Sequence, residues 1–184
     1  KEIEADLLCR LGKDTALSIS DGCLFAANGG SLYKISLEDM RGIHFLKPVI
    51  CHDWKSLYKA FEAYGVSADC AFDTMSAAYL LSPGESSYPI EKIALRYLGV
   101  QMPEGEGAQA VYALKLKEPL STAVEEQGMT ALLRDIEIPL SPVLARMETA
   151  GFRLDCDGLH KYIGQLTDMQ QQLAQRIFMQ AGRE

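Results

Sequence analysis

Over its first third the chain alternates short apolar runs with turn-forming residues, and then it switches to helical periodicity. Residues 15–35 read TALSIS-DG-CLFAA-NGG-SLYKI, three β-prone runs punctuated by Asp21-Gly22 and Asn28-Gly29-Gly30. Asp-Gly and Asn-Gly accept the positive φ of tight hairpin turns, so the pattern predicts an antiparallel meander. Pro48-Val49-Ile50-Cys51 predicts a further strand, followed by a helix with Asp53 as N-cap. Trp54, Leu57, Tyr58 and Phe61 fall at i, i+3, i+4 and i+7, the spacing of one buried helical face, and Gly65 ends the helix. A strand feeding a helix is the first sign of an α/β layer. Phe72-Asp73-Thr74 opens a second helical stretch through Ala77, Ala78, Leu80 and Leu81. SPGESSYP is a loop by composition. Ile90, Ile93, Ala94 and Leu98 give a third helix closed by Gly99, QMPEGEGAQ is another loop, and helical patterns resume near Ala110 and again after Ser121.

From Asp135 the texture changes. Pro139 suits a first helical turn, Leu140, Val143, Leu144 and Met147 form an apolar stripe, and Gly151 is a C-terminal cap. Phe152-Arg153-Leu154-Asp155 reads as a short extended piece. A longer helix follows, with Leu159, Ile163, Leu166, Leu173 and Ile177 on one side. These features place a domain boundary near residues 130–137, dividing the chain into 1–133 and 134–184. No internal repeat or low-complexity segment is visible.

Charge narrows the function classes. Lys and Arg total 18 and Asp and Glu total 25, for a net charge of −7. Residues 1–133 hold 12 basic and 18 acidic side chains, net −6, and residues 134–184 hold 6 and 7, net −1. Neither part carries the basic excess that a phosphate backbone demands, so DNA binding through this chain alone is expected to be weak or absent. No apolar run approaches the roughly 18 residues of a membrane span. The five cysteines, Cys9, Cys23, Cys51, Cys70 and Cys156, are odd in number and lack C-x-x-C spacing, which fits a reduced, cytoplasmic compartment. His44, His52 and His160 are too scattered for a zinc motif. The first residue, Lys1, is not Met, which points to an excised piece.

The stretch IEIPLSPVLARMETAGFRLDCDGL (136–159) resembles the opening of the polymerase domain in the family A DNA polymerases of bacteria. There a helix of the form IE-x-PL-x-x-VL-x-x-ME-x-x-G leads into a short strand and a D-x-x-x-L helix start. Upstream, KPVICHDWKSLYKAFEAYGV and FDTMSAAYLLSPGESSYPIEKIALRYLG resemble the 3′–5′ exonuclease domain of the same family, a member of the RNase H-like DnaQ superfamily. The resemblance covers nearly the whole chain and is weakest before residue 45. It implies an α/β, RNase H-like exonuclease fold, a mixed sheet with flanking helices, in residues 1–133. Residues 134–184 would then begin the polymerase domain, with C-terminal helices leading into the thumb. It implies a parent chain that performs DNA-directed DNA synthesis in replication and repair with Mg²⁺, the remainder of the polymerase domain being this segment's partner.

Active exonucleases of the family hold two divalent metals between carboxylates of three motifs, activating a water and stabilising the leaving oxygen. The first motif is D-x-E on an early strand, the second Asn-x-x-x-Asp at a helix start, the third Tyr-x-x-x-Asp on a late helix. The early meander holds no D-x-E. By the resemblance, Asp53 stands where the second motif has Asn, and Leu57, on the apolar stripe, stands at its metal-binding Asp. Tyr112 of the third motif is followed four residues later by Leu116, and no Asp occurs between Asp73 and Asp135, so no register supplies one. Several hard oxygen ligands at about 2.0–2.6 Å are needed to draw such a cation out of water. The expectation is a degenerate exonuclease-like domain with no catalytic residue, no bound metal and a structural role.

Other readings compete. Phe72-Asp73-Thr74-Met75 begins like a D-x-E motif but has Met75 in place of the acid, so Asp73 is read as an N-cap. Cys51-His52-Asp53 could hold a nucleophile or metal ligand, though a nucleophile also needs a positioned base and an oxyanion site, so a structural role is expected. Glu2, Glu4 and Asp6 read as a solvated terminus. Gly105-x-Gly107-x-x-Ala110 matches a dinucleotide fingerprint only on paper, since no strand precedes it. The Leu159–Ile177 stripe reads as a partner-binding helix face, with Gln170, Gln171 and Gln172 solvated. A residual nuclease using Asp53, Asp69 or Asp73 needs carboxylates about 4–5 Å apart around a shared cation. A partner- or single-strand-binding module would use the old cleft beside Leu57.

Overall fold

Asp21 and Gly22 take φ of 49° and 73°, the left-handed conformation that a two-residue hairpin needs, and they fold β1 (Ala16–Ser20) onto β2 (Cys23–Asn28). Gly29 and Gly30, with φ of 53° and 79°, do the same between β2 and β3 (Ser31–Ser36). The predicted meander is therefore present, with Ser18 opposite Phe25 and Ala26 opposite Tyr33. The structure is a computed structural model that describes residues 4–182, apart from 9 and 13, and only the backbone of residues 6 and 7. Of the terminal acidic cluster, Glu2 and the Asp6 side chain lie outside the described residues and Glu4 is exposed. Cys9 also lies outside them.

A four-residue helix, α1 (Ala5–Leu8), precedes the sheet and buries Leu8. After β3 the chain crosses to β4 (Val49–Cys51), which pairs parallel to β1, and enters α2 (Trp54–Tyr64). Trp54, Leu57 and Phe61 are buried on α2, and Gly65 caps it at φ 66°. A fifth strand, β5 (Cys70–Asp73), pairs parallel to β4, giving the order β3-β2-β1-β4-β5. The fold class is thus mixed α/β, with an antiparallel half and a parallel half meeting at β1.

The sequence pattern misses β5, assigning Phe72 and Asp73 to a helix start. Four residues are too few to show a period, and the strand is specified by pairing with β4. The helix itself, α3 (Thr74–Leu81), begins one residue after Asp73. Next come α4 (Ile90–Leu98), capped by Gly99 as expected, and α5 (Ala108–Glu126). The pattern also splits α5 in two, whereas it runs unbroken through Pro119. Proline removes the bond to the carbonyl four residues earlier. Here that carbonyl belongs to exposed Lys115, where water can satisfy it, while buried Leu116 and Leu120 hold the helix down. The N-cap of α5 is Gly107 (φ 70°), in the expected loop. A Cβ there would lie 2.8 Å from Phe25 and 2.9 Å from Leu32, so only glycine permits the close approach to β2 and β3.

The chain then runs through α6 (Thr130–Leu132), a π turn (Leu133–Glu137) and α7 (Ile138–Ala150) without leaving helical conformation. Pro139 lies in the first turn of α7, as expected, though the chain enters that turn already helical. It follows a wide π turn, which accommodates a residue lacking an N–H. Residues 151–155 carry no strand pairing, so the expected extended piece is a plain connection.

By compactness the chain forms two units, one through Thr149 and one from Ala150 onward. α7 belongs to the first because its inner side packs there. Ile138 and Ala145 are buried, Lys55 and Lys59 of α2 reach Glu148 at 2.7 and 3.2 Å, and Arg146 donates to the Tyr58 hydroxyl at 2.7 Å. The main core spans Leu17, Leu24, Ile50, Trp54, Phe61, Leu116 and Leu120. A smaller cluster joins Phe25, Ala27 and Ala110. The second unit contains α8 (Cys156–Ala181), the expected long helix, with Asp155 accepting from Gly158 N at 3.0 Å as its N-cap and no residue buried along it. Among the described residues no helix is long and apolar enough to cross a membrane.

Candidate functional site

The middle of β1 and the residues that follow β4 line one cleft. About 250 Å³ in volume, it is lined by Leu17, Ser18 and Ile19 from β1, by His52 and Asp53, by Ser56, Leu57 and Ala60 of α2, and by Gln109 of α5. Of these residues Asp53 alone carries a carboxylate. β1 contributes only the buried hydroxyl of Ser18 where an acidic strand would supply metal ligands.

That carboxylate already has work. Asp53 is the N-cap of α2, accepting from Ser56 N at 3.1 Å and from Ser56 Oγ at 2.5 Å. It holds φ 65° and ψ 72°, the left-handed region that aspartate tolerates better than most residues. Asp53→Ala is expected to cost about 2–3 kcal/mol, from the lost cap and the worsened backbone preference. Asp53→Gly, which suits φ 65°, is expected to cost less. Urea unfolding of the two variants checks the order.

The three other positions singled out by the resemblance, Leu57, Tyr112 and Leu116, lie in the core. Leu57 is buried on the inner face of α2, and on α5 Tyr112 and Leu116 are buried in a stripe continued by Leu120 and Val124. Tyr112 carries the Lys115 ammonium 4.8 Å above its ring. Apolar side chains at i, i+4, i+8 and i+12 make one helical seam, so Leu116 is what the packing demands.

Asp73, the end of β5, is the residue whose role the sequence shows least. Its carboxylate is buried, with Oδ1 accepting from Asp53 N at 2.9 Å and Met75 N at 3.1 Å, and Oδ2 accepting from Ser76 Oγ at 2.6 Å. It caps α3, as its place before Thr74 suggests, and it also ties the start of α2 to β5. Burial pushes its carboxyl above the usual range, against the opposing pull of the Ser76 hydrogen bond and the His52 charge. The available sequence signal was Asp-x-x-Ser at a helix start, which announces the cap but not the bond to Asp53.

Cys51-His52-Asp53 is absorbed by the same network. His52 Nδ1 shares a 2.8 Å hydrogen bond with Thr74 Oγ1, whose hydroxyl donates to the Cys51 carbonyl at 3.2 Å. Burial lowers the His52 pKa, with nearby Asp73 and Asp53 opposing. Asp69 is exposed at the other end of β5 from Asp73. Four residues of strand separate them by about 13 Å, too far for ligands of one cation.

A second cleft, of about 220 Å³, lies between α3 and α7, where Asp53, Asp73, Tyr79, Tyr88, Glu137 and Leu144 meet. Among the described residues no three His, Cys, Asp or Glu side chains converge as a metal-binding group. Of the three carboxylates that line this cleft, Asp53 caps α2, Asp73 has its oxygens occupied by three hydrogen bonds, and Glu137 stands at the end of the π turn.

No protein-family model matches the chain. Among curated proteins it is similar to DNA polymerase I, thermostable, of Thermus thermophilus, with 36% identity over 154 residues covering 83% of this chain and 18% of that protein. It is similar to the Thermus aquaticus thermostable DNA polymerase I at 31% over 160 residues (86% and 19%) and to the Treponema pallidum DNA polymerase I at 28% over 160 residues (74% and 16%). The chain thus spans less than a fifth of the length of these relatives. Among solved structures it resembles the polymerase domain of Pol1 from M. smegmatis, in complex with DNA primer-template and dNTP. The TM-score is 0.75 at 21% identity, covering 98% of this chain and 36% of that one, which is a likeness of fold. On these sequence matches, the chain belongs to the family A DNA polymerases, matching one stretch of them.

Proposed function

We propose that residues 1–133 are an RNase H-like 3′–5′ exonuclease domain that has lost its metal site and now supports the polymerase, and that residues 134–184 begin the polymerase domain. The observation that carries this reading is the cleft beside β1 and β4, where Asp53 is the one carboxylate and is spent on capping α2. The strand order, with β1 central between an antiparallel meander and two parallel strands, suits an RNase H-like ancestry. The parent chain would carry out DNA-directed DNA synthesis with Mg²⁺, in the cytoplasm, through residues outside this segment. DNA would be held by the parent, and the rest of the polymerase domain would be the partner of α8. The parent is then expected to lack 3′–5′ editing unless another subunit supplies it.

Metal binding tests the reading directly. Titrating the chain with Mn²⁺, followed by the paramagnetic relaxation of water protons, is expected to show no stoichiometric site at millimolar metal. A saturable site of one or two ions, lost in Asp53→Asn, would overturn it.

A further inference from the structure

We propose that Cys51 and Cys70 are a peroxide-responsive thiol pair that closes to a disulfide between β4 and β5. Their sulfur atoms lie 3.8 Å apart across the two strands. The two thiols differ in access, since Cys51 is fully buried and Cys70 is half-buried. That difference divides the chemistry. A hydroperoxide meets Cys70 first. The Cys70 sulfur attacks one peroxide oxygen, the O–O bond breaks, and the products are a Cys70 sulfenic acid and an alcohol, or water, that carries the thiol proton. Cys51 Sγ then attacks Cys70 Sγ, the S–O bond breaks, and the departing hydroxide takes the Cys51 proton and leaves as water. Overall, two thiols give up two electrons and two protons, and one hydroperoxide is reduced to an alcohol and water.

Cys51 is shielded from the first step. Burial, and then the contact with Cys70, push its thiol well above the ordinary range, so it is a poor first target for oxidant from solution. The separation must shrink from 3.8 Å to about 2.05 Å, which asks for movement as well as side-chain rotation. The place allows it. β5 is a four-residue strand at the sheet edge, and the β4–β5 pairing shifts register between Val49 and Ile50, beside Cys51. Both strands end in the network already described, with Asp73 accepting from Asp53 N. The disulfide would therefore cross-link the end of β4 to the start of β5, three residues before Asp73, and raise resistance to unfolding.

The test uses the full chain with Cys9, Cys23 and Cys156 changed to Ser, treated with graded hydrogen peroxide. The expected result is the loss of both remaining thiols together in a monomer lighter by two hydrogens, reversed by dithiothreitol. The oxidised form should show a higher urea midpoint. Adding Cys51→Ser should leave Cys70 trapped as a dimedone-reactive sulfenic acid, and adding Cys70→Ser should leave Cys51 reduced. Peptide mapping of the unaltered, peroxide-treated chain must find the peptides of Cys51 and Cys70 linked, which keeps the test decisive if the triple variant does not fold. Unreacted thiols, linkage only between molecules, or oxidation of Cys70 to sulfinic acid with Cys51 free would overturn the proposal.

Discussion

Leu116→Asp is expected to leave the chain largely unfolded at room temperature, and Mg²⁺ is expected not to rescue it. Leu116 is fully buried on α5, in a seam with Tyr112 and Leu120. Removing a buried leucine costs about 2–5 kcal/mol before any charge is considered. The new carboxyl must then be either ionised without a partner or protonated at the expense of a raised pKa, adding several kcal/mol. A combined cost of about 5 kcal/mol or more exhausts much of the 5–15 kcal/mol that stabilises a typical domain. Far-UV circular dichroism with urea titration reads the loss. In a site that retained its other carboxylates, a divalent cation would offset part of this cost. A folded Leu116→Asp chain whose thermal midpoint rises with Mg²⁺ would mean that the cleft still holds metal ligands.

Asp73→Ala is expected to be the most damaging polar substitution, at about 3–5 kcal/mol. It leaves the Asp53 and Met75 amides and the Ser76 hydroxyl without their acceptor, and each buried unsatisfied group costs about 1–3 kcal/mol. Asp73→Asn keeps the Oδ1 acceptor and can donate to Ser76 Oγ, so it should fall within about 1 kcal/mol of the parent at neutral pH. The two proteins should part in their pH dependence. Burial raises the native Asp73 pKa above that of the unfolded chain, so the native state keeps a proton that the unfolded state has released. Stability from this group is then full below the unfolded pKa, near 3.9, and falls as pH rises through the native value. Asparagine has no such proton, so the difference should shift in its favour as pH rises through that window and then level off. Urea midpoints of both proteins across the window measure it. A constant difference would show that the three hydrogen bonds to the ionised carboxylate fully offset its burial.

Much of this was legible from local chemistry. The Asp21-Gly22 and Asn28-Gly29-Gly30 turns announced the meander, and the Trp54–Phe61 spacing announced α2, because turn conformation and helical period are written in adjacent residues. What escaped was set by contacts distant in sequence. β5 exists through pairing with β4. Helix α5 survives Pro119 because Leu116 and Leu120 pack inward. At the site, the Asp53 cap and the apolar character of Leu57 and Leu116 were readable one residue at a time. So was the Asp73 cap of α3, but its bond to Asp53 N, which spans twenty residues, was not. The absence of acid from β1 was readable, but the cleft that makes the absence matter forms only when β1 lies beside β4.

On the proposed reading this cleft does not hydrolyse phosphodiesters. The most direct test is digestion of a single-stranded oligonucleotide carrying a label at its 5′ end, with the chain in large excess and Mg²⁺ or Mn²⁺ present, beside an active control exonuclease. The account predicts full-length product throughout. Metal-dependent shortening from the 3′ end that survives repurification, and that is lost in Asp53→Ala or Asp73→Asn, would contradict it.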